Sequence, residues 1–338
     1  YSSSIAAASI AWNLEQLEVR SDSIDLLVGN ALRVASDSIT MEVLQSTDTL
    51  KGVNILEHHR DSGGVTSLGS TTAGTELEVS NHFIDADLRI AIGEVTPDHF
   101  AGIRGAQSSV LPALASYRSL ERHRELAFRG EVRPGEFKGN PAHEDQMEAS
   151  EMVGVDMALQ LVTDGHGNLL SAFSGQMDSS LKLAVEDLGD TFKARVEEEV
   201  DIVVVSAGGD RFDFDLYNAI WALDGIAPFI KRGGTILLLA ECSEGLGAEG
   251  LDALARVETV AELRRRYMLG ARAVHTIKSS VRSNEVVLVS ALPKYQAESL
   301  GLTVMRAANE AFQKTLQRKR GRETLVVTHG CSVIPVSN

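Results

Sequence analysis

Cysteine is almost absent from this chain. Only Cys242 and Cys331 occur in 338 residues, too few for a disulfide framework and in keeping with a reducing, cytoplasmic setting. Lysine is scarce too: nine of the 32 basic residues are lysine, and 47 acidic residues oppose them. The formal charge of −15 and pI of about 5.1 leave no basic stripe to neutralise phosphates, which argues against a nucleic-acid partner. No run of eighteen apolar residues occurs, so no membrane span is expected. Walker, H-E-x-x-H and C-x-x-C signatures are missing, and the nine histidines are dispersed rather than spaced as ligands along one helix. The opening residues 1–8 (YSSSIAAA) lack Met and a basic n-region, so they make a poor signal peptide. They read instead as the capped start of a helix running to about Leu17, inside a domain whose leading segment would precede Tyr1.

What is present is the material of a large α/β protein. The length suits two domains with sizeable cores, and 43% hydrophobic content is ordinary for one. Apolar runs at 24–29, 88–93, 201–206, 235–240, 285–290 and 324–328 read as strands. Helical stretches at 111–126, 179–188, 215–229, 257–269 and 307–318 lie between or beside them. Residues 153–174, with a turn at 164–168 (DGHGN), predict a β-hairpin. The expected architecture is two α/β domains with largely parallel sheets and an interdomain cleft. The N-terminal domain would cover 1–195 and the C-terminal domain 196–338, with the tail 324–338 packing back on the first.

Some chemistry-bearing residues stand out on this frame. His99 follows Pro97-Asp98 beyond a strand, where open α/β sheets place ligands, and a neighbouring carboxylate could fix its tautomer. As an isolated feature it reads as a surface histidine in a turn. Gly102 and Gly105 allow close backbone approach, to a cofactor or within a tight turn. His123 lies between Arg122 and Arg124 on a helix, which by residue type alone reads as an exposed basic face. In 140–145 (NPAHED), capping by Asn140 and acids suited to the helix dipole account for the segment without catalysis. Cys242 reads as a buried thiol, since no basic partner is evident. The loop Ser206-Ala207-Gly208-Gly209-Asp210 follows a strand but is not G-x-G-x-x-G.

Segments 81–93 (NHFIDADLRIAIG), 97–102 (PDHFAG), Gly105, 108–112 (SSVLP), His123 and 139–145 (GNPAHED) together resemble the lactate racemase family, whose members invert 2-hydroxy acids with a nickel-pincer nucleotide. Segments 68–75 (LGSTTAGT), 215–218 (DLYN), 240–247 (AECSEGLG) and 329–335 (HGCSVIP) resemble the same family in the same order, so the likeness extends over nearly the whole chain.

The resemblance implies roles. His99 with Asp98 would transfer the proton, Asp98 standing where the family has a histidine. His123, within one residue, would ligate nickel. Ser108 stands where a lysine tethers the cofactor, so the nickel-pincer nucleotide would be held non-covalently, near Gly102 and Gly105. Asn218 and Trp221 stand where a glutamine and a lysine approach the pyridinium ring. The family's other acid/base histidine has no counterpart in 29–33 (GNALR), where Leu32 replaces it. The implied activity is an isomerase that racemises or epimerises a small-molecule 2-hydroxy acid by hydride transfer to the cofactor. The alternative is a non-catalytic two-domain binding or assembly protein that has lost the site. A third reading, a nucleotide-dependent oxidoreductase, needs a dinucleotide fingerprint.

Overall fold

The computed structural model describes residues 2–29, 38–60, 63–129, 133–164, 167–209, 211–318, 321 and 323–337. The readings placed on Tyr1, Asn30–Arg33, Gly165, His166 and Asp210 lie outside the described residues. The chain forms two compact units. One comprises Tyr1–Thr96, Phe100–Gly130 and Glu136–Gly189; the other comprises Pro97–His99, Glu131–Gly135 and Asp190–Asn338.

The first unit begins with the helix Ser2–Gln16. The parallel pair β1 (Asp25–Gly29) and β2 (Asn54–His58) follows, with Ala11, Leu44 and Leu50 forming a small core beside it. Strands β3 (Val65–Ser70) and β4 (Glu76–Ser80) pair antiparallel. The main sheet has the order β6-β5-β7-β8, built from β5 (Ile90–Asp98), β6 (Gly102–Arg104), β7 (Met157–Thr163) and β8 (Leu169–Gly175). Strands β5 and β7 are parallel and β7 and β8 form the expected hairpin. Every second residue of β5 is buried, from Ala91 through Pro97, the alternation of a strand with one face against a core. A Cβ on Gly93 would lie 2.3 Å from Ala106 N, so glycine lets the turn after β6 press against the strand. That close approach positions the segment 102–108.

The second unit is a parallel sheet in the order β13-β12-β11-β10-β14, with β10 at Val200–Ser206, β11 at Ile230–Leu239, β12 at Glu285–Val289, β13 at Thr303–Met305 and β14 at Thr324–Val327. Its central strands are near-continuous apolar runs because helices cover both faces of such sheets. Strand β11 starts five residues before the expected Thr235. The pairing with β10 shifts register there, and a Cβ on Gly234 would lie 2.9 Å from Asp201 O: a glycine bulge was read as a strand boundary. The expected single helix over 215–229 is broken into Leu216–Ala219, Ala222–Ile226 and a 3-10 turn Ala227–Phe229. Pro228 cannot supply the N–H that a continuous helix needs.

The division expected at 195/196 runs through β9 (Lys193–Val196), which pairs with β15 (Ile334–Ser337). Strand β14 adds to the edge of β10 and β15 to β9, because extended backbone satisfies its polar groups on the nearest open strand edges. Among the described residues no helix is long and apolar enough to cross a membrane.

Candidate functional site

Strand β5 delivers Asp98 and His99 at its C-terminal end, and both are half-buried. The His99 ring stacks on Trp221, with centroids 6.3 Å apart and planes 21° from parallel. Tyr217 meets the same indole edge-on at 5.8 Å. Trp221 is held at the joint between the two broken helix segments, so the helix break missed in the sequence creates the platform for His99. Of the expected site residues, the second unit thus brings together His99 and Trp221, with Asp98 one residue away.

Asn218 lies on the short helix Leu216–Ala219. It is buried, and Asp215 Oδ1 accepts from both its backbone N–H at 2.7 Å and its Nδ2 at 2.8 Å. Asp215 caps the short helix, and the Asn218 amide braces that cap. The glycines of the first unit also serve the fold. At Gly102, φ is +77° and a Cβ would stand 1.9 Å from Glu136 O. At Gly105 a Cβ would meet Gln160 Oε1 at 2.6 Å and Gln107 Oε1 at 2.7 Å. Ser108 is half-buried and its N–H donates to Gly105 O at 3.0 Å.

His123 lies in the core. It is 0% exposed, on the buried face of the helix Tyr117–Glu125 with Ser119 and Leu120. Its Nδ1–H donates to Asp145 Oδ2 at 2.7 Å, and Gln146 Nε2 donates to its Nε2 at 3.4 Å. Phe100 packs against the ring at 4.8 Å, the planes at 85°. Asp145 also accepts from the hydroxyls of Thr71, at 2.5 Å, and Thr75, at 2.8 Å. Burial pushes the Asp145 carboxyl up, but the hydrogen bonds and charge of His123 and the two threonine hydroxyls outweigh it and hold the group below its ordinary value.

Asp145, Thr71 and Thr75 lie in segments quoted above, but their pairing was not read from the sequence, and Gln146 was not named. The signal was there, because Ala142, Asp145, Gln146, Ala149 and Val153 share the buried face of the helix Pro141–Val153. A charge on an apolar helical stripe calls for a partner. Arg124 was also passed over. It is half-buried, with its guanidinium carbon 4.6 Å above the Phe100 ring. Its Nε is enclosed and meets no acceptor among the described residues. A cation–π contact contributes about 0.5–2 kcal/mol, whereas a buried donor on a charged group left unmatched costs about 1–3 kcal/mol or more, so the ring alone does not satisfy this side chain.

A further pattern escaped the sequence reading: Gly245, Gly247 and Gly250 have G-x-G-x-x-G spacing after β11. The structure gives them another task. A Cβ on Gly247 would stand 2.2 Å from the Asp215 carboxylate, and one on Gly250 would stand 2.2 Å from Leu269 O. A carboxylate against the loop repels phosphate, and the helix that follows is only Glu249–Ala253, so the oxidoreductase reading gains nothing. Burial pushes the neighbouring Cys242 thiol up to about 12, which leaves it inert as a nucleophile.

The residues present do not fit the nickel-pincer group at the expected ligand. A carboxylate on the second ring nitrogen is common behind a metal-bound imidazole, so Asp145 alone would not decide. His123 fails because it is sealed from its surroundings and its remaining nitrogen faces Gln146. The adjacent residue, Arg124, offers no lone pair to a metal. Ser108 has no amine for a covalent tether. Among the described residues no group of three or more His, Cys, Asp or Glu side chains is arranged to hold a metal ion.

Comparison with known proteins follows this geometry. Residues 1–133 match the family model described as the lactate racemase N-terminal domain, and residues 196–335 match the lactate racemase C-terminal domain. A lactate racemase from Thermoanaerobacterium thermosaccharolyticum is 26% identical over 234 residues, covering 68% of this chain and 55% of the relative. One from Lactiplantibacillus plantarum is 26% identical over 206 residues, covering 60% of this chain and 48% of the relative. The matches therefore span about half the length of these curated relatives. The lactate racemase apoprotein structure from T. thermosaccharolyticum superposes with a TM-score of 0.80 at 21% identity, over 93% of this chain and 78% of that one. A protein from Thermotoga maritima superposes with a TM-score of 0.73 at 14% identity, over 93% and 86%. These two likenesses bear on the fold.

Proposed function

Because this chain belongs to the lactate racemase family, we propose that it recognises a small 2-hydroxy acid, and does so without a nickel-pincer group ligated by His123. The ligand class comes from the relatives, which are named for lactate. The observation that carries the second half is the burial of His123, whose two nitrogens are engaged by Asp145 and Gln146. The chemistry left to this chain's own groups is proton handling at His99, on the Trp221 platform, where an imidazole can take and return a 2-hydroxyl proton. Hydride transfer needs an acceptor, and the residues expected to hold one do not fit it.

A second reading keeps the full isomerase activity, with the nickel-pincer cofactor bound by other groups. One observation favours it: His99 stands at a strand's C-terminal end, half-buried and braced by an aromatic ring. The test is metal analysis and chiral chromatography of D- and L-lactate on protein purified from a cofactor-producing host. The expected result is substoichiometric nickel that His123→Ala leaves unchanged, no interconversion of isomers, and calorimetric binding of a 2-hydroxy acid. Stoichiometric nickel that disappears in His123→Ala would overturn the proposal. Interconversion that stops in His99→Ala but survives His123→Ala would select the second reading.

A further inference from the structure

Where β11, β12 and β13 end, the second unit opens a cavity of about 390 Å³, lined by Glu241, Val289, Ser290, Ala291 and Arg306. None of these residues belongs to the His99–Trp221 platform. Hydrogen bonds tie the strand ends together around it. Ser290 N–H donates to Met305 O at 3.1 Å, while Ala291 N–H and the Ser290 hydroxyl donate to Glu241 O at 2.8 and 2.7 Å. Arg306 joins the same network, its Nη1 donating to Ser290 O at 2.6 Å. Ligands of open α/β sheets sit beyond the carboxyl ends of the strands, and small-molecule pockets run to about 300–1,000 Å³. Both place and size suit a small solute.

Two opposite charges line this cavity without meeting. Among the described residues neither Arg306 nor Glu241 forms an ion pair, with the other or with a third group. Both are exposed, so a solute reaches them. A lone exposed arginine is ordinarily a solvated cation, but this one is pinned to a backbone carbonyl at the cavity wall. With Nη1 engaged, the Nε–Nη2 edge is left, and two parallel donors match the two oxygens of a carboxylate. An anion alone would lie beside the uncompensated Glu241, and a cation alone beside Arg306; a solute carrying both charges answers each. We propose that the cavity binds a small zwitterion of the α-amino-acid class, its carboxylate on Arg306 and its ammonium at Glu241. Val289 and Ala291 would border the amino-acid side chain. Lactate has the carboxylate and lacks the cation, so this ligand is not the 2-hydroxy acid of the proposed function.

The standard L-amino acids are screened singly, at millimolar concentration, for a rise in the unfolding temperature of the full chain. The best of them is then titrated calorimetrically, beside acetate and methylammonium, into the full chain, Arg306→Gln and Glu241→Gln. At least one amino acid is expected to bind, and each substitution to weaken it about ten- to hundredfold, the scale of losing a charge-assisted hydrogen-bonded pair. Acetate and methylammonium, each half of the zwitterion, are expected to bind more weakly than the whole. Unfolding of the ligand-free variants should stay near that of the parent, because both side chains are exposed. Binding left unchanged by both substitutions places the amino acid elsewhere and overturns the proposal. Acetate binding as tightly as the amino acid, lost in Arg306→Gln and kept in Glu241→Gln, overturns the zwitterion in favour of a plain anion. No stabilisation by any amino acid overturns it outright.

Discussion

Asp145→Ala is expected to destabilise the first unit by about 3–5 kcal/mol, because three buried donors lose their acceptor at about 1–3 kcal/mol apiece. The substitution removes the acceptor of His123 Nδ1–H and of the Thr71 and Thr75 hydroxyls at once. All four residues are buried, so water cannot readily replace the lost oxygens, and each donor left bare carries its own desolvation cost. For a unit of this size that corresponds to a fall of roughly 10 °C in unfolding temperature. Asp145→Asn should cost less, because an amide keeps one acceptor oxygen while turning a donor toward a donor. Differential scanning calorimetry of the two variants checks this. A loss below about 1 kcal/mol for Asp145→Ala, the worth of a single ordinary hydrogen bond, would mean that the network does not hold the core. The same variant bears on function, since a positioning partner behind a metal-bound histidine would change nickel content, whereas a core lock changes stability alone.

The sequence made some of this legible. Strand β10 announced itself through the run Asp201–Ser206, because a strand covered on both faces has no polar side to disguise it. The hairpin β7–β8 was equally plain from its turn chemistry. The joint at Trp221 was not, since the residues of 215–229 have good helical spacing. Pro228 ends the last segment but lies too far along to break the chain at Trp221, where the indole meets Tyr217 and His99. Local pattern carries none of that information.

His123 shows a different kind of blindness. Flanking arginines suggested an exposed basic face, yet Leu120 and His123 are three apart and share the inner side of the helix. Charge count outweighed periodicity, and periodicity was right. The partner that makes burial tolerable, Asp145, lies 22 residues away and in a segment already explained by capping. Asn140 does cap that helix, accepting from Ala142 N at 2.9 Å. The capping explanation was correct and incomplete, which is why the second role of the segment went unseen. The site's chemistry hinges on such pairings: a histidine with a buried acid behind it reads as a ligand or as a core lock, and only its exposure and the group on its other nitrogen separate the two.

A second acid-sensitive element lies on the same helix. Burial lowers His143 to about 4 from an ordinary histidine value near 6.5, opposed only by the charge of Asp178. Its place in the first helical turn, where the dipole disfavours a cation, points the same way. Because the folded pKa is depressed, the unfolded chain binds the extra proton first as pH falls. Stability from this group is therefore fully present above about 6.5 and is lost progressively toward pH 4, amounting to roughly 3 kcal/mol over the window. Burial lowers His58 as well, so it adds to the same slope. Asp145 acts in a separate, more acidic window: its carboxyl is held below the ordinary value, so its contribution survives above the unfolded carboxylate range and disappears only as pH falls through the folded value. Urea unfolding of the first unit at pH 7, 5.5 and 4.5 should show stability falling, and His143→Gln should flatten that fall while leaving the loss below pH 4 in place. An identical pH slope in His143→Gln would mean that His143 is protonated in the folded chain, and that the acid sensitivity belongs to another group.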